Sequence, residues 1–293
     1  MLLDCLVKYC DSFYRNHVND QICEDCNHPA DCPGDCKKCL DEVHWIKRGK
    51  RRDYDCEYLV YYYTCRYSHK YCSEILYALE NIDLEEYPRY NILSLGCGAT
   101  PDLMAFDYLN ELDKKPIRYR GYDRNPLWKP IHNEIENYML HAYEDIKIKL
   151  RCNDVFRLLV KDKARKGVNI ITMQYLLSHL YNTMQTSEIN DLYDALIDNV
   201  LKYRCDDSPF LIIINDIDSC YKGRNYFWPL YDKIRAACYR GRAYAMCFKK
   251  DINLEHAQQY PSSTNKFSIP NTICKHYKCA IECSSAQLII EIR

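Results

Sequence analysis

The chain has 293 residues and a formal net charge of −1 at pH 7, enough length to bury a sizeable core and no global charge to draw it to nucleic acid or an anionic membrane. Its start, MLLDCLVKYCDSF, is interrupted by Asp4, Lys8 and Asp11, and no run approaches the roughly 18 apolar residues of a membrane span, so a cytoplasmic protein with no membrane partner is expected. Nineteen cysteines without an export signal read as reduced thiols, and any cluster of them is a metal candidate.

Residues 1–20 have Leu3, Leu6, Val7 and Cys10 near helical spacing and predict an amphipathic helix. The stretch ICEDCNHPADCPGDCKKCL follows, with Cys23 and Cys26 as a CxxC and Cys32, Cys36 and Cys39 as a CxxxCxxC. Thiolates bind Zn2+ tetrahedrally and CxxC turns aim two sulfurs at one ion, so Cys23, Cys26, Cys36 and Cys39 make the most economical zinc site, with Cys32 or His28 as the spare. Buried free cysteines are the plainer alternative. The CxxxCxxC also resembles the iron–sulfur motif of radical S-adenosylmethionine enzymes; it ranks second because those enzymes need a β/α barrel, and a polar, aromatic helical stretch follows here.

From Lys47 to Arg52 the chain reads KRGKRR, which could hold the phosphates of RNA or DNA with Tyr54 and Tyr58 stacking on bases, or form a solvated charge run. Residues 55–80 predict a helix with Leu59, Tyr62, Tyr63, Ile75, Leu76 and Leu79 in apolar stripes, a spacing that belongs more often to core than to a ligand site. Pro88 marks a break, and the division falls near residue 85, with a helical Cys-rich module over 1–85 and a second domain over 86–293.

Asn91–Leu103, NILSLGCGATPDL, reads as a buried strand, a turn through Gly96 and Gly98, and a helix start in which Thr100 is the N-cap, Pro101 the first helical residue and Asp102 a first-turn acid. A dinucleotide fingerprint would have a third glycine where Pro101 stands. The stretch instead resembles motif I of the class I S-adenosylmethionine-dependent methyltransferases, an apolar strand followed by GxG.

A second strand, Ile117–Tyr122, ends in Asp123, which matches the acid that holds the cofactor ribose in that family; an ionised carboxylate accepts from both hydroxyls. A third strand, 146–150, leads to Asp154 and Val155, where the resemblance implies an adenine contact and the residues alone allow a helix cap. After a fourth strand, 168–173, come Gln174, Tyr175, Ser178 and His179, and after a fifth, 210–214, Asn215 and Asp216. Of these, Gln174, Tyr175, His179 and Asp216 are the candidate catalytic residues, because ligands of open α/β sheets gather at the carboxyl ends of strands. His179 can equally be a satisfied helix histidine. Ser187 reads as the cap of the next helix.

Residues 217–275 form a long connection rich in Lys, Arg and aromatic side chains, either a second nucleic-acid contact or an amphipathic lid. Residues 277–283 and 287–292 suggest a terminal hairpin. The expected fold is therefore α/β, a doubly wound, seven-stranded, mostly parallel sheet with a terminal antiparallel hairpin, beside the small helical module. The resemblance implies methyl transfer from S-adenosylmethionine, with Gly96, Gly98, Asp123, Asp154 and Val155 at the cofactor; it leaves the acceptor open, and the Cys-rich module and the two basic stretches favour a nucleic acid, RNA or DNA. A non-catalytic cofactor-binding module is the alternative.

Overall fold

The computed structural model describes residues 1–17, 35–44, 53–143, 145–161, 165–183, 185–204, 207–219, 223–249 and 256–293. Helices α1 (Leu2–His17), α2 (Cys36–His44) and α3 (Glu57–Leu79) come first. There follow β1 (Tyr90–Leu95), α4 (Pro101–Asp113), β2 (Ile117–Asp123), α5 (Lys129–Ala142), β3 (Lys147–Cys152), α6 (Val155–Lys161) and β4 (Ile170–Gln174). The chain continues through α7 (Leu176–Asn182), α8 (Ile189–Asn199), β5 (Phe210–Ile217), α9 (Phe227–Ala236), β6 (Gly241–Cys247), β7 (Ala257–Gln259), α10 (Asn271–Tyr277) and β8 (Ser285–Ile292).

The strands form one sheet in the order β3-β2-β1-β4-β5-β8-β6-β7. β1 to β5 are parallel to one another, and β8 is antiparallel to both β5 and β6. This is the expected doubly wound α/β class with one antiparallel strand inserted near its end. The strand order reverses between β1 and β4, the switch point at which a crevice opens beyond the carboxyl ends of the strands. The sheet formed by the described residues is open, not the closed barrel that the iron–sulfur reading requires.

Alternation along the buried strands divides the core into two layers. Ile92, Ile117, Tyr119, Ile170, Leu211 and Ile213 point to one face, where α1, α3, α4 and α5 pack. Leu93, Leu95, Ile171, Met173, Ile212 and Ile214 point to the other, against α6, α7, α8 and α9. The first helix is tied into its layer by the Leu2 N–H, which donates to Asp107 Oδ2 (2.8 Å).

Four expectations need correction. The strand expected over 277–283 is the end of α10 and a loop making a single bridge, Thr264 to Glu282; β8 takes β5 and β6 as neighbours instead. Residues 217–275 hold α9, β6 and β7, and so complete the sheet, which has eight strands; β7, only three residues long, is the additional one. Thr100 adopts φ +56° and its hydroxyl makes no cap hydrogen bond, so α4 starts from the turn geometry and Pro101. A 3-10 turn over Thr186–Glu188 replaces the Ser187 cap, although Ile189, Leu192 and Leu196 of α8 are buried as expected.

Candidate cofactor cavity

The carboxyl ends of β1 to β4 open on a cavity of about 460 Å³. Gly96, Gly98, Asp123, Trp128, Asp154, Val155, Phe156, Gln174, Tyr175 and His179 line it. Asp53, Tyr54 and Tyr63 from the N-terminal part of the chain complete the lining.

The glycine turn is shaped by its backbone. Gly96 and Gly98 have φ of +66° and +47°, values a side chain resists, and a Cβ on Gly96 would stand 2.9 Å from Leu176 Cδ1. The N–H groups of Gly96 and Cys97 donate to Tyr122 O (2.8 and 3.1 Å), and that of Gly98 donates to Asp123 Oδ2 (3.0 Å). His132 on α5 lies 2.7 Å from Gly98 O through Nε2. A carbonyl only accepts, so Nε2 carries the hydrogen, and burial lowers the ring's pKa in favour of this neutral form.

Asp123 Oδ1 accepts from Asn125 N–H (2.9 Å). Burial pushes this carboxyl above its ordinary value, while the Asn125 and Gly98 donors pull it back. With one backbone donor on each oxygen, the carboxylate retains acceptor capacity on the cavity side. Asp154 makes the cap: Oδ1 accepts from Phe156 N–H at the start of α6 (2.9 Å), and the residue also lines the cavity. Gln174 Nε2 donates to Tyr71 O (3.1 Å), leaving buried Oε1 with no hydrogen-bond partner among the described residues.

Tyr175 is held by a network that the sequence did not reveal. Its backbone has φ +54°. Its hydroxyl donates to Glu74 Oε2 (2.9 Å) and accepts from Lys70 Nζ (2.7 Å), both on α3. Glu74 is 0% and Lys70 6% exposed; their ion pair spans 3.3 Å. Asn215 Nδ2 donates to Glu74 Oε2 (2.9 Å), Ser284 N–H to Oε1 (3.0 Å), and Gln287 Nε2 to Asn215 Oδ1 (2.9 Å). Burying such a pair is costly unless its remaining valences are met, and here donors from α3, β5 and the start of β8 meet them. The only sequence trace was a Lys and Glu four residues apart in a tyrosine-rich helix.

The same helix presents Tyr63, Tyr67 and Tyr71 along one face, with Tyr67 and Tyr71 stacked at 5.2 Å and Tyr71 4.3 Å from the Tyr175 ring. These aromatic residues are core and cavity wall at once. Tyr54 lies across the cavity, its hydroxyl 3.1 Å from His44 Nε2 and its ring 5.3 Å from Tyr63. Burial raises the hydroxyls of Tyr54, Tyr63, Tyr71 and Tyr175 and lowers His44 to about 4, so this wall is uncharged near neutral pH. Arg124 at the rim donates to Asp53 Oδ2 (3.3 Å) and Gln185 Oε1 (3.0 Å).

Gly96, Gly98, Asp123, Asp154, Val155, Gln174, Tyr175 and His179 thus meet at one cavity. His179 stands on the wall with its ring 6.1 Å from that of Tyr54. Asp216 does not line it: the residue is buried behind α7, where Oδ2 accepts from Ser178 N–H (3.1 Å) and Oδ1 from Ile217 N–H (2.7 Å). Among the cysteines, Cys36 and Cys39 are buried one turn apart at the start of α2; Cys23, Cys26, His28 and Cys32 lie outside the described residues, as do Lys47–Arg52. Among the described residues no cluster of three or more metal-binding side chains occurs.

Of the basic stretch of residues 217–275, three described cations are paired, while Arg235, Arg240 and Lys249 are exposed. Arg224 is buried against Asp218, Lys233 Nζ meets Asp194 (2.6 Å), Arg242 meets Glu291 (3.2 Å), and Phe227 is in the core.

No family model matches the chain, and no curated protein sequence matches it. Among solved structures, it is similar to the plantazolicin methyltransferase BpumL in complex with SAH, at 14% identity over 98% of this chain and 99% of that one, with a TM-score of 0.45. It is similar also to a putative class I S-adenosylmethionine-dependent methyltransferase from Listeria monocytogenes (10% identity, 99% and 88% of the two chains, TM-score 0.46) and to a human methyltransferase 10 domain containing protein (8%, 75% and 81%, 0.42). The fold assignment rests on the strand order rather than on these scores.

Proposed function

We propose that this chain transfers a methyl group from S-adenosylmethionine. The observation that carries the reading is the pairing of Asp123 with Gly98: the acid at the end of β2 holds the glycine turn after β1 through a backbone N–H, and both face one cavity. In this reading Asp123 accepts from the ribose hydroxyls, Asp154, Val155 and Phe156 receive the adenine, and Gln174 Oε1, without a partner among the described residues, supplies an acceptor for the amino group of the methionine part. The bound cofactor supplies an electrophilic methyl carbon on a sulfonium. The chain's own work is to orient an acceptor and exclude water, which the wall of Tyr54, Tyr63, Tyr175 and His179 is built to do.

We place a zinc ion on Cys23, Cys26, Cys36 and Cys39 on the strength of their spacing and of the shared helical face of the last two. Isothermal titration with S-adenosylmethionine tests the main reading. Micromolar binding supports it; no binding by folded protein overturns it; and binding without turnover on any acceptor favours the non-catalytic alternative.

A further inference from the structure

The half of the sheet formed by β2 and β3 is asymmetric. Ile117, Tyr119, Ile146, Ile148 and Leu150 turn inward to the α5 layer. By the alternation of a strand, Arg118, Arg120, Lys147, Lys149 and Arg151 point to the opposite face, where Arg118 stands beside Lys147 and Arg120 beside Lys149 in the parallel register. Arg120 is half-buried and the other four are exposed. None of the five has an ion-pair partner among the described residues. Like charges on neighbouring strands repel, and no acid pairs with them among the described residues.

From this geometry we infer that the β2–β3 face binds the phosphate backbone of a nucleic-acid strand and leads it to the cavity, an acceptor assignment that rests on the methyl-transfer reading above. Lys147, Lys149 and Arg151 form a row with cations roughly 6.6 Å apart, two residues of strand rise, a spacing a flexible phosphodiester chain can follow with one phosphate per cation. The row runs toward the cavity. Cys152, which follows Arg151, pairs in register with Asp123, Asn153 N–H donates to Asp123 O (2.9 Å), and Asp154 lines the cavity itself. A strand lying on the row therefore reaches the rim where Arg124 stands, beside the tyrosine wall on which an unstacked base can lie. The remaining side chain on this face of the two strands, Tyr122 opposite Arg151, is buried, so among the described residues of β2 and β3 the face exposes cations and not the apolar anchors that hold a protein in a bilayer surface. These five cations belong to neither basic stretch singled out in the sequence.

The test uses the full chain and a fluorescein-labelled single-stranded RNA of mixed sequence, with anisotropy read over a series of salt concentrations. Lys147→Glu/Lys149→Glu/Arg151→Glu is expected to weaken binding about tenfold or more and to reduce the slope of log Kd against log salt by about 2, three contacts at roughly 0.7 each. The corresponding triple glutamine variant, which adds no new charge, should act in the same direction and keep the wild-type melting temperature. Unchanged affinity and slope in both variants would overturn the inference, and so would wild-type binding to phosphatidylserine vesicles without binding to the RNA. Titration of S-adenosylmethionine into the same samples separates the two readings. Cofactor binding should be equal in wild type and variants; if the wild type binds RNA through this face but no cofactor, the surface stands and the acceptor assignment falls.

Discussion

Replacing Asp123 with Ala removes a carboxylate that serves two purposes in the cofactor cavity. In the protein alone it accepts the N–H groups of Gly98 (3.0 Å) and Asn125 (2.9 Å); with cofactor bound it would also take the ribose hydroxyls. A hydrogen bond to a charged group contributes about 1.5–3 kcal/mol, so losing the ribose contact alone should raise the Kd for S-adenosylmethionine roughly 10- to 150-fold at 1.4 kcal/mol per decade. Freeing the Gly98 N–H loosens a turn that must remain at positive φ, which adds to this loss. The fold should persist, because Gly96 and Cys97 still donate to Tyr122 O and His132 still holds Gly98 O. Calorimetric titration with S-adenosylmethionine and S-adenosylhomocysteine is the assay, with a thermal melt beside it. A Kd within about twofold of wild type in a variant that melts normally would refute the assignment of Asp123 to the ribose and, with it, the main support for the cavity's function.

Other outcomes follow from the same geometry. Lys70→Met leaves the buried Glu74 carboxylate without its cation, and the expected loss is about 3 kcal/mol, toward the low end for a broken buried pair, because Asn215 and Ser284 still donate to it. Lys70→Met/Glu74→Gln should recover part of that loss in urea unfolding, and a double variant less stable than Lys70→Met would contradict the network. Burial holds the Asp216 carboxyl up at about 6, against 3.8 for the ordinary group. The folded chain therefore keeps a proton that the unfolded chain releases, and this group makes stability fall as pH rises between those two values, by on the order of 3 kcal/mol at about 1.4 kcal/mol per pH unit. No further loss is expected above that window. Asp216→Asn should remove this component from the pH dependence of the unfolding midpoint; an identical dependence in both proteins would show that Asp216 is not the group responsible. Cys36→Ser/Cys39→Ser should lose bound zinc by elemental analysis, and full occupancy in that variant would exclude these two thiols as ligands.

The course of the chain through β1, β4 and β5 was legible because each is a run of mostly apolar residues ended by a glycine or a polar residue, as parallel strands buried on both faces must be; β2, IRYRGYD, was legible by its alternation instead, with Ile117 and Tyr119 buried and Arg118 exposed. The glycine turn and Asp123 were legible for a related reason: they lie at strand ends, where local sequence dictates backbone geometry and side-chain chemistry together. β6 was not, because GRAYAMC is exposed at its first residues and buried only over Ala245–Cys247, so its apolar signal is too short to separate it from a loop. Asp216 shows the opposite failure. Its place after a strand suggested the cavity, but α7 turns back over it, and its oxygens are taken by backbone N–H groups.

The sequence by itself determined the first five strands with the helices between them, the parallel class of that part of the sheet and the glycine-and-acid core of the cavity, all of which are set by patterns within a few residues of one another. Tertiary structure alone decided what comes together from far apart. Lys70 and Glu74 meet Tyr175 across 105 and 101 residues, and their meaning depends on α3 lying against the ends of β4 and β5. The cations of β2 and β3 form a single face only because those strands pair in parallel in one register; a shift of one residue would turn each row to the other side of the sheet.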